Sequence, residues 1–172
     1  MTVELRDLRR VVEVALRDCG FEGARNSWQY SGSDMRWLVG YEKPPWFTAL
    51  HVQVGADIDA PPLDAPRIKG VDSAQLRPPP GPLRANDCVI SVPVENFVGL
   101  DRYDLATSLY LRSGLDLATR RRNINDGFAA LHEYLCLHGS RALVSAALDR
   151  GDFRGGFVRR DVRQLLSRRP TV

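Results

Sequence analysis

Between residues 28 and 58 the chain alternates apolar and polar side chains in three successive runs. A period of two is what a strand with one buried face requires. Trp28-Gln29-Tyr30 opens the pattern, and Ser31-Gly32-Ser33-Asp34 interrupts it with turn residues. Met35, Trp37, Val39 and Tyr41 then recur at every second position. Lys43-Pro44-Pro45 breaks this second run, because a proline has no N–H to give to a ladder. From Phe47 to Ile58 the alternation resumes, with Leu50, Val52 and Val54 on one face and Phe47, Ala49, His51 and Gln53 on the other. Three runs with two breaks predict an antiparallel meander. Trp28, Trp37 and Trp46 all fall inside it. Their large apolar area places them on the core face, the alternative being an exposed aromatic platform for a partner.

The helices are read from a different period. Leu5, Leu8, Val11, Val12, Ala15, Leu16 and Cys19 follow a spacing of three and four, so residues 3 to 18 predict an amphipathic helix. Thr2 is placed to cap it, Gly20 to end it, and Phe21 to fold back on its apolar stripe. Asp87 to Val94 alternates again and predicts a fourth strand, with Pro93 at a sheet edge or at the strand's last position. Helical spacing returns over 101 to 113. A further helix is expected after the basic run Arg120-Arg121-Arg122, capped by Asn123 or Asn125 and ended by Gly139. Ser140 caps the next, which ends near Gly151, and Val158 to Ser167 predicts the last. The whole is an α+β fold: an N-terminal helix, an antiparallel sheet of about four strands, and a C-terminal helical layer on one face.

The 172 residues suit one domain with a real core. Residues 59 to 86 stand apart within it. Seven of the eleven prolines lie there, including Pro78-Pro79-Pro80-Gly81-Pro82, and neither period survives such spacing. An irregular surface connection is expected.

Charge and cysteines bound the function classes. The formal charge is +3, but residues 150 to 172 hold seven arginines against Asp152 and Asp161. Such a basic end suits nucleic acid or an acidic protein surface. All but two of the 24 basic residues are arginine, so compositional bias also accounts for it. No run of about 18 apolar residues exists, which argues against a membrane span. The charged start Met1-Thr2-Val3-Glu4-Leu5-Arg6-Asp7 lacks an apolar signal core, and Cys19, Cys88 and Cys136 are odd in number without CxxC spacing. Both point to a cytoplasmic protein with reduced thiols.

Catalytic chemistry has few candidates. His132 and Cys136 are four apart on the expected helix and share a face, but zinc asks for a third protein ligand and no HExxH or CxxC accompanies them. A nucleophilic pair of Cys136 with His132 or His51 carries no local signature. Gly151 to Gly156 is glycine-rich without a phosphate-loop pattern. The carboxylates are spread evenly, and Asp57 with Asp59 are two side chains in a loop, too few to argue a cation site. No cofactor is expected.

The stretch "LRDCGFEGARNSWQY", followed by "MRWLVGYEK" and "FTALHVQVGADI", resembles the bacterial domain-of-unknown-function family numbered 4304 over roughly residues 5 to 58, and "LHEYLCLHGSRALVSAAL" is similar in style. The resemblance implies an α+β domain with no established activity and no catalytic residues to carry over. The expectation is therefore a small cytoplasmic protein-binding or accessory domain, immunity-like by analogy. Trp46, His51, Arg120, Arg121, Arg122, Arg159, Arg160 and Arg163 are the candidate interaction surface. The alternatives are a nucleic-acid-associated factor using the basic end, and an enzyme with a pocket beside His51 or His132.

Overall fold

The computed structural model describes residues 3–58, 84–97 and 102–167. Thr2, most of the proline-rich connection and the last five residues lie outside them, and the N-cap position of the first helix belongs to Glu4 rather than to Thr2. The fold is α+β, as the periodicities predict. Helix α1 (Leu5–Asp18) precedes strands β1 (Glu22–Ala24), β2 (Ser27–Ser31), β3 (Arg36–Glu42), β4 (His51–Asp57) and β5 (Ile90–Pro93). Helices α2 (Arg102–Leu109), α3 (Leu117–Leu137) and α4 (Arg141–Arg150), the short strand β6 (Phe157–Val158) and helix α5 (Val162–Ser167) complete the order. The strands lie in sequence order in one antiparallel sheet.

Among the described residues the sheet has six strands rather than four. The additional two are its edges. Three residues of β1 and two of β6 are too short to show a period, and β6 exists because β5 offers it a free side. Arg159 N donates to Val89 O at 2.8 Å and continues the attachment. Strand β5 is therefore not an edge. β6 covers Ile90 and Ser91, and Pro93 sits past the end of that pairing.

Register explains the burial. Val39 faces Val54, Tyr41 faces Val52 and Trp37 faces Ala56, so one sheet face is continuous apolar surface. Trp28, Trp37, Val54, Ile90 and Val92 meet Leu8, Val12 and Leu16 of α1 and Ile124, Phe128 and Leu131 of α3 in the main core. Each such fully buried aliphatic contributes roughly 1.5–3 kcal/mol. On the opposite face Leu38, Ala85 and Cys88 form a second, small cluster under a 3-10 turn at Ala85–Asp87. Gly55 permits it: a Cβ there would stand 2.4 Å from Ala85 O and 2.6 Å from Cys88 Sγ.

Four helix boundaries differ from the periodic reading, the first being that of α1, which starts at Leu5 rather than at residue 3. Helix α3 starts at Leu117, capped by Asp116 (Thr119 N to Oδ1, 2.8 Å), so Arg120, Arg121 and Arg122 lie inside it and neither Asn123 nor Asn125 caps it. Helix α2 ends at Leu109 because Tyr110 leaves to bridge Ala49. Helix α5 starts at Val162, since Val158 is in β6. Gly20 and Gly151 do end α1 and α4 with positive φ, and Ser140 caps α4. No helix among the described residues is long and apolar enough to cross a membrane.

Candidate functional site

Trp28 and Trp37 are core residues, but Trp46 is 81% exposed. The proline break that ends β3 carries it out of the sheet. Phe47 beside it is 46% exposed and stands edge-on to the His51 ring, 4.6 Å between centroids. The segment carrying both is tied to the end of α2. Leu50 N donates to Leu109 O at 3.0 Å and Leu111 N to Thr48 O at 2.8 Å, around the Ala49–Tyr110 bridge. Tyr110, 41% exposed, is thereby paired through its backbone with Ala49, two residues beyond Phe47. Tyr103, 77% exposed, lies in the first turn of α2, seven residues before Tyr110. His51 is half-buried, and its Nε2 is enclosed without a hydrogen-bond partner.

The frame under this patch is Arg120. It is not on the surface, as the interaction reading expected, but buried to 1% exposure. Its guanidinium donates to the carbonyls of Leu115 (3.0 Å), Ser108 (2.7 Å), Tyr110 (2.8 Å) and Leu111 (3.2 Å) and to Ser113 Oγ (2.8 Å). Those five bonds match the five donors of an arginine fork. Desolvation lowers its pKa from the ordinary arginine value. Its charge satisfies carbonyl oxygens from the end of α2 through the turn that follows it to Leu115.

The other arginines are not brought together. Arg121 lines a groove between α1 and α3 with Asp7, Arg10 and Asp18. Arg122 is exposed on the next position of α3. Arg159, Arg160 and Arg163 are exposed at β6 and α5, on the sheet edge opposite to β1. Arg159 pairs with Asp161 (Nη2 to Oδ2, 2.6 Å), which raises its pKa, and Arg163 pairs with Asp149.

The histidines divide. His138 is buried at the end of α3. Its Nδ1 lies 2.7 Å from Tyr134 O and its Nε2 3.1 Å from Arg150 Nη2. Arg150 also meets Asp152, as does the Tyr134 hydroxyl, so this is a closed polar network joining α3 to the end of α4. His132 and Cys136 share one face of α3, with Nε2 3.6 Å from Sγ. Among the described residues no group of three or more His, Cys, Asp or Glu side chains is placed to hold a metal. A polar cleft of about 140 Å³ on the outer sheet face is lined by Asn26, Gln53, Arg84 and Asn86 among others. Neither His51 nor His132 lines it, the α1–α3 groove, or a shallow one beside Phe157.

No family model, no curated protein and no solved structure matches the chain.

Sequence reasoning named Trp46 and His51 but missed Phe47, Tyr103 and Tyr110. The seven-residue spacing of the two tyrosines was the available signal. The bridge that brings the Tyr110 backbone to the segment after Trp46 joins residues 61 positions apart (Ala49 and Tyr110), which no local pattern encodes.

Proposed function

We propose that the chain is a protein-binding domain whose contact surface is the aromatic patch of Trp46, Phe47 and Tyr110, extended by Tyr103. The observation that carries this reading is the 81% exposure of Trp46 next to exposed Phe47, on a segment whose continuation from Thr48 to Leu50 is hydrogen-bonded to the end of α2, where Tyr110 is also exposed. Exposing large aromatics costs solvation free energy without return in an isolated molecule. Interfaces are enriched in Trp and Tyr, and hot spots centre on them. A rigid frame such as the Arg120 fork reduces the ordering cost of binding.

The test is affinity capture from nuclease-treated lysate with wild-type, Trp46→Ala and Arg160→Ala baits. Binding by this surface gives a partner retained by wild-type and Arg160→Ala and lost at least tenfold with Trp46→Ala, the scale of a hot-spot residue worth about 1.4 kcal/mol or more. A partner held equally by the Trp46→Ala bait, or recovered only when nucleic acid is intact, overturns the proposal.

A further inference from the structure

Cys136 is the exposed thiol of the three, and it does not stand alone. Tyr30, from β2, brings its hydroxyl to 3.1 Å from Cys136 Sγ across 106 residues of sequence. His132, one helical turn before Cys136, brings Nε2 to 3.6 Å and Nδ1 to 3.8 Å from the same sulfur. The imidazole is held in a seat of other elements. Tyr30 and Phe21 both stand edge-on to it, with centroids at 5.1 and 5.9 Å. The α1 turn closes a third side, since a Cβ on Gly20 would lie 3.8 Å from Nε2. A phenol and an imidazole thus meet an exposed sulfur at one place.

The other two thiols are the contrast. Cys88 is buried, and desolvation, with Asp57 and Asp87 adding, pushes its thiol up to about 12. Burial and the neighbouring Asp18 raise that of half-buried Cys19. Both are held as inert thiols. At Cys136 the hydrogen bond to sulfur is the largest cause that raises the Tyr30 phenol above its ordinary value. The phenol therefore keeps its proton and is placed to give a hydrogen bond to the sulfur.

We propose that Cys136 is a nucleophilic modification site for low-molecular-weight disulfides, with His132 as proton acceptor and Tyr30 as hydrogen-bond donor to the thiolate. In the step, the Cys136 proton passes to the His132 ring and the thiolate attacks one sulfur of a small disulfide RS–SR. The new bond is Cys136 Sγ–S–R, the RS–SR bond breaks, and the leaving RS⁻ takes the proton back as RSH. Cys136 is oxidised to the mixed disulfide and the co-reactant supplies the reduced thiol. The site is separate from the aromatic patch and does not depend on it.

The experiment treats the full chain with cystamine and with dithionitrobenzoate and follows adducts by peptide mass spectrometry and the rate by released thiol. One fast equivalent at Cys136 is expected, at least tenfold faster than Cys19, Cys88 or the same thiols in the urea-unfolded chain. Tyr30→Phe keeps the ring that packs on His132 and removes only the hydroxyl. It should slow Cys136 severalfold, and His132→Gln should do so as well, each with unchanged circular dichroism. A Cys136 rate equal to that of the unfolded chain overturns the proposal, as does a rate unmoved by both substitutions. If one variant fails to fold, the wild-type comparison with the unfolded chain still decides.

Discussion

The guanidinium of Arg120 in α3 is seated on the carbonyl of Ser108 near the end of α2, Nη1 to O 2.7 Å. Four further bonds from the same side chain fix residues 110 to 115. Arg120→Met leaves these acceptors buried and unpaired, and should cost about 3 kcal/mol. Arg120→Lys restores the charge but not the planar fork, so it recovers part of that loss. Urea denaturation measures both. A loss under about 0.5 kcal/mol for Met, the size of an ordinary surface change, would contradict the assigned role.

The β2–β3 turn docks on the α3–α4 junction through two glycines. Gly139 O accepts from Ser33 N at 2.8 Å and Ser33 Oγ at 2.9 Å, and Asp34 Oδ1 accepts from Arg141 N at 2.8 Å. A Cβ on Gly32 would stand 2.4 Å from Gly139 Cα, backbone that has nowhere to go. Gly32→Ala should therefore destabilise by about 2–3 kcal/mol. Gly114→Ala is the comparison. That site is open but has φ +77°, so only backbone strain of about 1 kcal/mol is expected. Equal losses at the two sites would show that the close approach of Gly32 and Gly139 is not what holds the junction.

Stability should fall at alkaline pH. Tyr134 donates to Asp152 Oδ2 at 3.1 Å and Tyr41 donates to Glu13. Burial first, and the adjacent carboxylates with it, raise both phenols well above the ordinary 10.0. Cys88 is raised from 9.0 to about 12. A folded-state value above the unfolded one favours the protonated form in the native state. That contribution is complete below the unfolded values and is lost as pH rises through the folded ones. The urea midpoint should hold up to pH 9.0 and decline above it. Tyr134→Phe should flatten the decline. A midpoint constant through that window contradicts the assignment.

Of the three tryptophans, Trp28 and Trp37 are 2% and 0% exposed, against 81% for Trp46. Acrylamide should quench one of the three emissions, and Trp46→Phe should remove the quenchable one while leaving the folded spectrum of the other two. Two quenchable components would mean that the sheet core is open.

What was legible locally followed one-dimensional periods. The alternation over 35 to 42 places Met35, Trp37, Val39 and Tyr41 in the core, where they are buried, and the three-and-four spacing of α1 predicts its buried Leu8, Val11, Val12, Ala15 and Leu16. Turn chemistry at Gly20, Ser140 and Gly151 was equally local, because a cap depends on residues within one turn. The Cys136–His132 spacing was visible too, since i and i+4 share a helix face.

By itself, then, the sequence determined the α+β class, the meander, the first helix and most helix ends, since each is a property of neighbours along the chain. Only the tertiary structure decided that Arg120 is a buried frame rather than a surface charge, that Ala49 and Tyr110 pair, that β6 completes the sheet, and that Tyr30 reaches Cys136. These are meetings between residues ten to more than a hundred positions apart. Nothing local distinguishes an arginine that will satisfy carbonyls from one that will face water. That choice is made by which backbone groups packing leaves without partners.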